Sequence, residues 1–213
     1  MKSEAERNSV FGLYLVMTDP VVGYARCAEA AVAAGVRYVQ LRMKNAAPAA
    51  ILKSAIEVRS VTAGTDTLFI VNDSPAIAVE AGADGVHLGQ DDMPIDEARR
   101  LYPSLRVIGL STHNLAQAMT ATATQPDYIG VGPVFSTPTK AIPDPVLGVE
   151  EAGRIIRAVA TPAVAIGGLN ESNLREVLAA GAVNFSVVRA VCQSAKPLDV
   201  IRRLMEIWQT EIG

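Results

Sequence analysis

Apolar residues in this chain fall into short runs that stop abruptly at polar residues, and the runs recur at a steady interval. Strands are predicted at Leu13–Thr18, Val36–Arg42, Leu68–Val71, Gly85–Leu88, Val107–Leu110, Tyr128–Val131, Ala163–Ile166 and Phe185–Val188. Between them the apolar positions return at helical spacing, as in Val149, Ala152, Ile155, Ile156 and Val159, or Leu198, Ile201, Leu204, Met205 and Trp208. One junction repeats: Ala34-Gly35 precedes the second strand, Ala81-Gly82 the fourth and Ala180-Gly181 the eighth. A glycine just past a helix end closes the last turn in the left-handed conformation, so the repeat marks αβ junctions and not low complexity.

Eight strands alternating with eight helices over 213 residues leave roughly 27 residues per unit. That predicts an α/β chain folded as one (β/α)8 TIM barrel over residues 1–213, with 1–10 as a flexible N-terminal segment. A doubly wound open sheet is the rival, but it uses fewer strands for this length, and no Gly-x-Gly-x-x-Gly follows the first strand. Composition agrees with the barrel: 50% of the residues are hydrophobic but only 5% are aromatic, as suits buried parallel strands under Ala-rich helices. No apolar run approaches the roughly 18 residues that span a bilayer. Met1–Arg7 is charged on both signs and has no apolar stretch behind it, unlike a signal peptide. Cys27 and Cys192 lack paired spacing and read as reduced, buried thiols, so the expected location is cytoplasmic. A net charge of −3 argues against nonspecific nucleic-acid or membrane binding. An anionic ligand would therefore need a local cluster of cations.

Candidate chemistry gathers where strands end, the rim on which such barrels carry their sites. Asn72-Asp73-Ser74-Pro75 follows the third strand, and Gly89-Gln90-Asp91-Asp92 the fourth. Neighbouring strands ending in Asp put oxygen ligands on one rim, which suits Mg²⁺ with the rest of its shell left to water or phosphate. The structural alternative is a helix start, with Asp or Ser as N-cap and Pro in the first turn. In Gln40-Leu-Arg-Met-Lys44, strand alternation places Gln40, Arg42 and Lys44 on one face as a clamp for a polyanion, or as a salt-bridged strand end. Ser111-Thr-His113 precedes a helix expected from Asn114; His113 is given no role, and His87 is read as a hydrogen-bonded core residue. The long Pro- and Gly-punctuated stretch after the sixth strand carries Thr137, Thr139 and Lys140. Gly167-Gly168 lets a ligand approach backbone N–H groups, and Val188-Arg189 ends the adjacent strand. Together these favour a phosphate site, although a Gly-Gly pair can be a plain turn. Two anion sites on one rim are the layout of a transferase that expels pyrophosphate.

The chain resembles the thiamine phosphate synthase (thiamine-phosphate pyrophosphorylase) family from Leu13 to Ala190. The likeness rests on Gln40-Leu-Arg-Met-Lys44, Val71-Asn-Asp73, Gly85-Val-His-Leu-Gly-Gln-x-Asp92, Gly109-x-Ser111, Gly130-x-Gly-Pro133 with Thr137-Pro-Thr-Lys140, and Ile166-Gly-Gly168. The resemblance implies a Mg²⁺-dependent transferase of thiamine biosynthesis. It would join 4-amino-2-methyl-5-hydroxymethylpyrimidine pyrophosphate to 4-methyl-5-(β-hydroxyethyl)thiazole phosphate, through a pyrimidine carbocation. It also implies that Gln40, Arg42, Lys44, Asn72 and Ser111 hold the pyrimidine substrate, and that Asp73 and Asp92 bind the metal. Thr137, Thr139 and Lys140 would serve the reacting phosphates, and Gly168, Val188 and Arg189 the thiazole phosphate. Lys140, Arg42, Lys44 and Ser111 form the implied catalytic set.

Two departures stand out. The family often shows Asp-Gly after the final Gly-Ala, where this chain has Ala182-Val-Asn-Phe185, and many members carry Ser in place of Arg189. Only motif spacing prefers Asp92 to Asp91. The rivals are a thiazole tautomerase-like isomerase, which tends to have His at Pro133 and no pyrophosphate residues, and a noncatalytic phosphate-ligand sensor. The oligomeric state, homo-oligomer or monomer, is left open.

Overall fold

The computed structural model describes residues 10–138 and 144–212. Parallel strands close into a barrel in which each pairs with the next and the eighth returns to the first. The strands are β1 Gly12–Met17, β2 Tyr38–Leu41, β3 Leu68–Asn72, β4 Gly85–Leu88, β5 Val107–Thr112, β6 Tyr128–Val131, β7 Ala163–Ile166 and β8 Asn184–Val187. The helices between and after them are α1 Tyr24–Ala33, α2 Pro48–Thr62, α3 Pro75–Glu80, α4 Ile95–Leu101, α5 Leu115–Ala123, α6 Gly148–Ala158, α7 Leu174–Ala179, α8 Arg189–Cys192 and α9 Pro197–Ile212. No helix among the described residues is long and apolar enough to cross a membrane.

Three differences from the sequence expectation bear on the site. Strand β2 stops at Leu41, so alternation does not extend to Lys44, which lies in a turn. Strand β5 continues to Thr112 and holds Ser111 within the sheet. An extra short helix, α8, follows β8 and begins at Arg189; four residues are too few to show helical periodicity. Of the expected N-terminal segment 1–10, residues 1–9 lie outside the described residues.

Alternation along the strands makes two cores. Residues facing the helices, among them Leu13, Leu15, Met17, Val39, Leu41, Phe69 and Phe185, form the larger one, where Cys27 and Cys192 are buried as free thiols. Inward residues fill the barrel itself: Tyr14, Tyr38, Ile70, Val107, Tyr128 and Val164. Three of the 5 tyrosines are spent on that plug. Tyr14 stacks on Tyr38 at 5.4 Å between ring centroids and meets Tyr128 edge-on at 5.3 Å, geometries aromatic pairs prefer. Such rings need room, and Gly109 supplies it: a Cβ there would lie 2.1 Å from the Tyr128 ring.

At the amino ends of the strands three short side chains do one job. Asp84 accepts from the Phe69 N–H, Asp127 from the Ile108 N–H, and Asn184 from the Phe11 and Gly12 N–H groups. Each thereby ties its own strand to a neighbour. The Asn184 Nδ2 also donates to Ala163 O at 3.4 Å. These contacts lie at the end of the barrel away from the site.

Candidate active site

Above the aromatic plug the barrel opens at the carboxyl ends of its strands into a cavity of about 400 Å³. Its walls draw on nearly every strand. From β2 to β5 come Gln40, Arg42, Asn72, His87 and Ser111; from the opposite side come Gly167, Gly168, Val188 and Arg189. Thr137 and Pro138 lean over it from the loop after β6. Sequence-predicted residues from both expected anion sites therefore border one space, with the mostly apolar walls and few convergent polar groups that ligand pockets have.

Arg42 is half-buried. Burial lowers its guanidinium pKa, and the nearby Asp73 and Asp19 carboxylates oppose that shift. Arginine stays ionised under such desolvation, so Arg42 is a fixed positive charge beside the cavity. Lys44 takes a different place. It is exposed, outside the cavity wall, and ion-paired to Asp73 Oδ2. Asp73 itself holds a positive φ of 64°, with its N–H donating to His87 O at 2.8 Å. Next to it Ser74 caps α3 by accepting from Ile77 N, and Pro75 opens the helix. The helix-start reading of this segment thus holds together with the rim position of Asp73.

Asp91 and Asp92 differ in placement. Asp91 is exposed, whereas Asp92 is half-buried and its Oδ2 accepts from Gly89 N at 2.6 Å; neither Asp73 nor Asp92 lines the cavity. Asp73 and Asp92 both anchor to the end of β4, within two residues of each other. No group of three or more His, Cys, Asp or Glu side chains suited to a metal occurs among the described residues. Thr139 and Lys140 lie outside the described residues.

The Gly167–Gly168 turn is braced on its carbonyl side. Phe135 N donates to Gly167 O at 2.9 Å, and the Asn170 and Asn173 amides donate to Gly168 O at 3.3 and 3.1 Å. A Cβ at Gly167 would meet Pro133 at 2.5 Å and one at Gly168 would meet Phe135 at 2.7 Å, so side chains are excluded from both positions. His113, without an expected role, ties β5 to the next loop through Nδ1 and Gly132 O at 2.7 Å, and faces Asp144 at 3.6 Å.

Sequence reasoning missed Tyr14, Tyr128 and Ser186 inside the barrel, although it marked Gln40 and Ser111 and read His87 as a hydrogen-bonded core residue, which it is. Gln40 Nε2 donates to Tyr14 Oη at 2.9 Å, Tyr14 Oη meets Tyr128 Oη at 2.7 Å, and Tyr128 Oη meets His87 Nδ1 at 2.9 Å. His87 Nε2 continues to Ser111 Oγ at 2.9 Å. Burial raises the Tyr14 and Tyr128 pKa values well above the ordinary phenol range, so both remain neutral donors. Ser186, opposite Tyr14 on β8, also borders the cavity; its Oγ is buried with no hydrogen-bond partner among the described residues. The signal available was alternation on β1, β6 and β8, which marks Tyr14, Tyr128 and Ser186 as inward-facing.

Fold and cavity define a (β/α)8-barrel enzyme with its candidate site at the carboxyl ends of its strands. A family model described as thiamine monophosphate synthase matches residues 13–191, and the chain belongs to that family. It is 46% identical over 185 residues to a thiamine-phosphate synthase of Gloeobacter violaceus, covering 87% of this chain and 54% of that protein. The chain thus spans about half the length of that relative. Against the thiamine-phosphate synthase of Methanoregula boonei it is 40% identical over 195 residues, covering 90% of each. Among solved structures, thiamine phosphate pyrophosphorylase from Pyrococcus furiosus superposes with a TM-score of 0.88 at 32% identity, covering 97% of this chain and 99% of that one.

Proposed function

We propose that this protein is a thiamine phosphate synthase. It joins 4-amino-2-methyl-5-hydroxymethylpyrimidine pyrophosphate to 4-methyl-5-(β-hydroxyethyl)thiazole phosphate and releases pyrophosphate. Family membership across residues 13–191, with one cavity bordered by residues of both expected anion sites, carries the reading. The reaction breaks the bond between the pyrimidine methylene carbon and the bridging pyrophosphate oxygen, and the electron pair leaves with pyrophosphate. The thiazole nitrogen then gives its lone pair to the cationic methylene. Such an ionisation needs a stabilised leaving group more than a base, and fixed positive charges supply that where negative charge develops.

In this reading Gln40, Asn72 and Ser111 hold the pyrimidine, while Arg42, Lys44 and Lys140 surround its pyrophosphate. Thr137 and Thr139 add hydroxyls to the reacting phosphates. Gly168, Val188 and Arg189 receive the thiazole phosphate; with the turn's carbonyls engaged, its N–H groups are left for an anion. The carboxylates of Asp73 and Asp92 are hard oxygen donors on segments tied to the end of β4, through the Asp73 N–H and the Asp92 Oδ2, a set that fits Mg²⁺ when the ligand's own phosphate oxygens and water complete the shell. Bound there, Mg²⁺ would act as a Lewis acid toward the leaving pyrophosphate. Lys44 on Asp73 keeps that carboxylate balanced until the metal and substrate arrive.

The test is direct. Purified protein, both substrates and Mg²⁺ should yield a product that oxidises to fluorescent thiochrome. Folded protein giving no signal above a protein-free control would refute the assignment.

A further inference from the structure

The hydrogen-bonded path from Gln40 to Ser111 crosses the barrel under the cavity, and each donor along it has one place to go. Gln40 Nε2 donates to Tyr14 Oη. Tyr14 then has its own proton to place, and the acceptor at hand is Tyr128 Oη, 2.7 Å away. Tyr128 passes its proton on to His87 Nδ1, so the ring proton of a neutral His87 sits on Nε2 and points at Ser111 Oγ. Were the middle of the path reversed, Tyr14 would accept twice and hold a buried proton with no acceptor, the arrangement folded proteins avoid. The two ends are thereby fixed. Gln40 Oε1 has no protein partner among the described residues and is not sealed from the cavity that Gln40 borders, so it is presented as an acceptor. Ser111 accepts from His87 and has its own proton free to donate into the same cavity.

We infer that Tyr14, Tyr128 and His87 are positioning residues that lock Gln40 as an acceptor and Ser111 as a donor, and so select a ring carrying an amino group over one carrying a carbonyl at the same place. The inference rests on the transferase reading for its ligand, the aminopyrimidine, but the polarity of the path belongs to the resting protein. Rigid partners make it firm. The Tyr128 ring stacks on His87 at 5.5 Å and fills the space above Gly109, so neither ring turns without disturbing the barrel core. Hydrogen-bond selection of this kind separates close analogues far better than shape, because the wrong analogue leaves a buried polar group unpaired.

Two measurements decide it. The chain has 2 histidines, so long-range proton–nitrogen NMR on the whole protein, with His113→Gln for assignment, reads the His87 tautomer directly. Above the imidazole titration, His87 should carry its proton on Nε2 and leave Nδ1 bare; the opposite tautomer overturns the inference, whether or not the protein turns over substrate. The second compares kcat/KM for the aminopyrimidine pyrophosphate and its 4-oxo analogue. The wild type should favour the amino compound, and Tyr128→Phe, which removes one hydroxyl and leaves the ring packing, should cut that preference about tenfold or more, mainly through KM. Tyr14→Phe should do the same, covering the case in which one variant folds poorly. An unchanged preference in both folded variants overturns the inference. No product from wild type with either pyrimidine refutes the transferase reading instead, and the tautomer alone then decides the relay.

Discussion

Asp91 and Asp92 are chemically identical neighbours with different surroundings. Asp91 projects into solvent, while Asp92 is held by the Gly89 N–H beside the end of β4, near the anchor of Asp73. A carboxylate oriented by a backbone donor is ready to bind a cation without first losing side-chain freedom. Asp92→Ala should therefore lower turnover far more than Asp91→Ala, by on the order of several kcal/mol in activation free energy, the scale of Lewis-acid stabilisation. The thiochrome rate at saturating Mg²⁺ checks this, with thermal melts of both variants to show that Asp92→Ala has not simply lost the Gly89 contact. Equal losses, or a larger loss for Asp91→Ala, would show that the wrong carboxylate has been chosen. Arg189 borders the cavity from the first position of α8, so it adds a cation to a wall that faces phosphate in the proposed reaction.

At the scale of elements, β5 and β6 show how a strand pair shapes the site. Gly109 on β5 lies opposite Tyr128 on β6, and the missing side chain is the space the Tyr128 ring occupies. A methyl group there forces the ring aside. Gly109→Ala should destabilise the fold by about 1–3 kcal/mol through overpacking, seen as a lower thermal midpoint. It should also impair use of the pyrimidine substrate, because Tyr128 can no longer bridge Tyr14 and His87. A variant with wild-type melting and kinetics would mean that the ring has another place to sit. The strands β4, β6 and β7 have the bounds that apolar runs and flanking turns predict, because burial on both faces writes a strand into composition as well as order. Lys44 was misjudged for a matching reason: alternation holds only while the chain stays in the sheet, and β2 leaves it at Leu41.

Three of the 5 tyrosines are kept inside the barrel. Tyr14, Tyr38 and Tyr128 all have pKa values raised above 10.0, chiefly because burial disfavours the phenolate. The unfolded chain gives up these protons near the ordinary value, while the folded barrel retains them. Their contribution to stability is thus complete below about pH 10 and is lost as pH rises from there toward the folded values. Thermal midpoints should hold steady in mildly alkaline buffer and fall above about pH 10, with a slope of more than one proton. Tyr128→Phe should reduce that slope by about one proton. A midpoint indifferent to pH in that range would contradict the burial of the phenols.

The sequence by itself determined the eight-unit repeat, the parallel strands and the rim on which chemistry sits. These follow from periodicity and from turn residues, which act over a few positions and need no knowledge of distant neighbours. It also carried Gln40, Arg42, Asp73, Asp92 and Ser111 as residues of note, because polar groups at the ends of apolar strands stand out in one dimension. Closure of the barrel decided what order along the chain leaves open. It brought Tyr14, 114 residues from Tyr128, within a hydrogen bond of it, and gave His87 a defined neighbour at each ring nitrogen. It also separated Lys44 from the cavity while Arg42 stayed beside it. Hydrogen-bond partners inside a barrel come from strands far apart in sequence, so their polarity is a property of the closed sheet and not of any one segment.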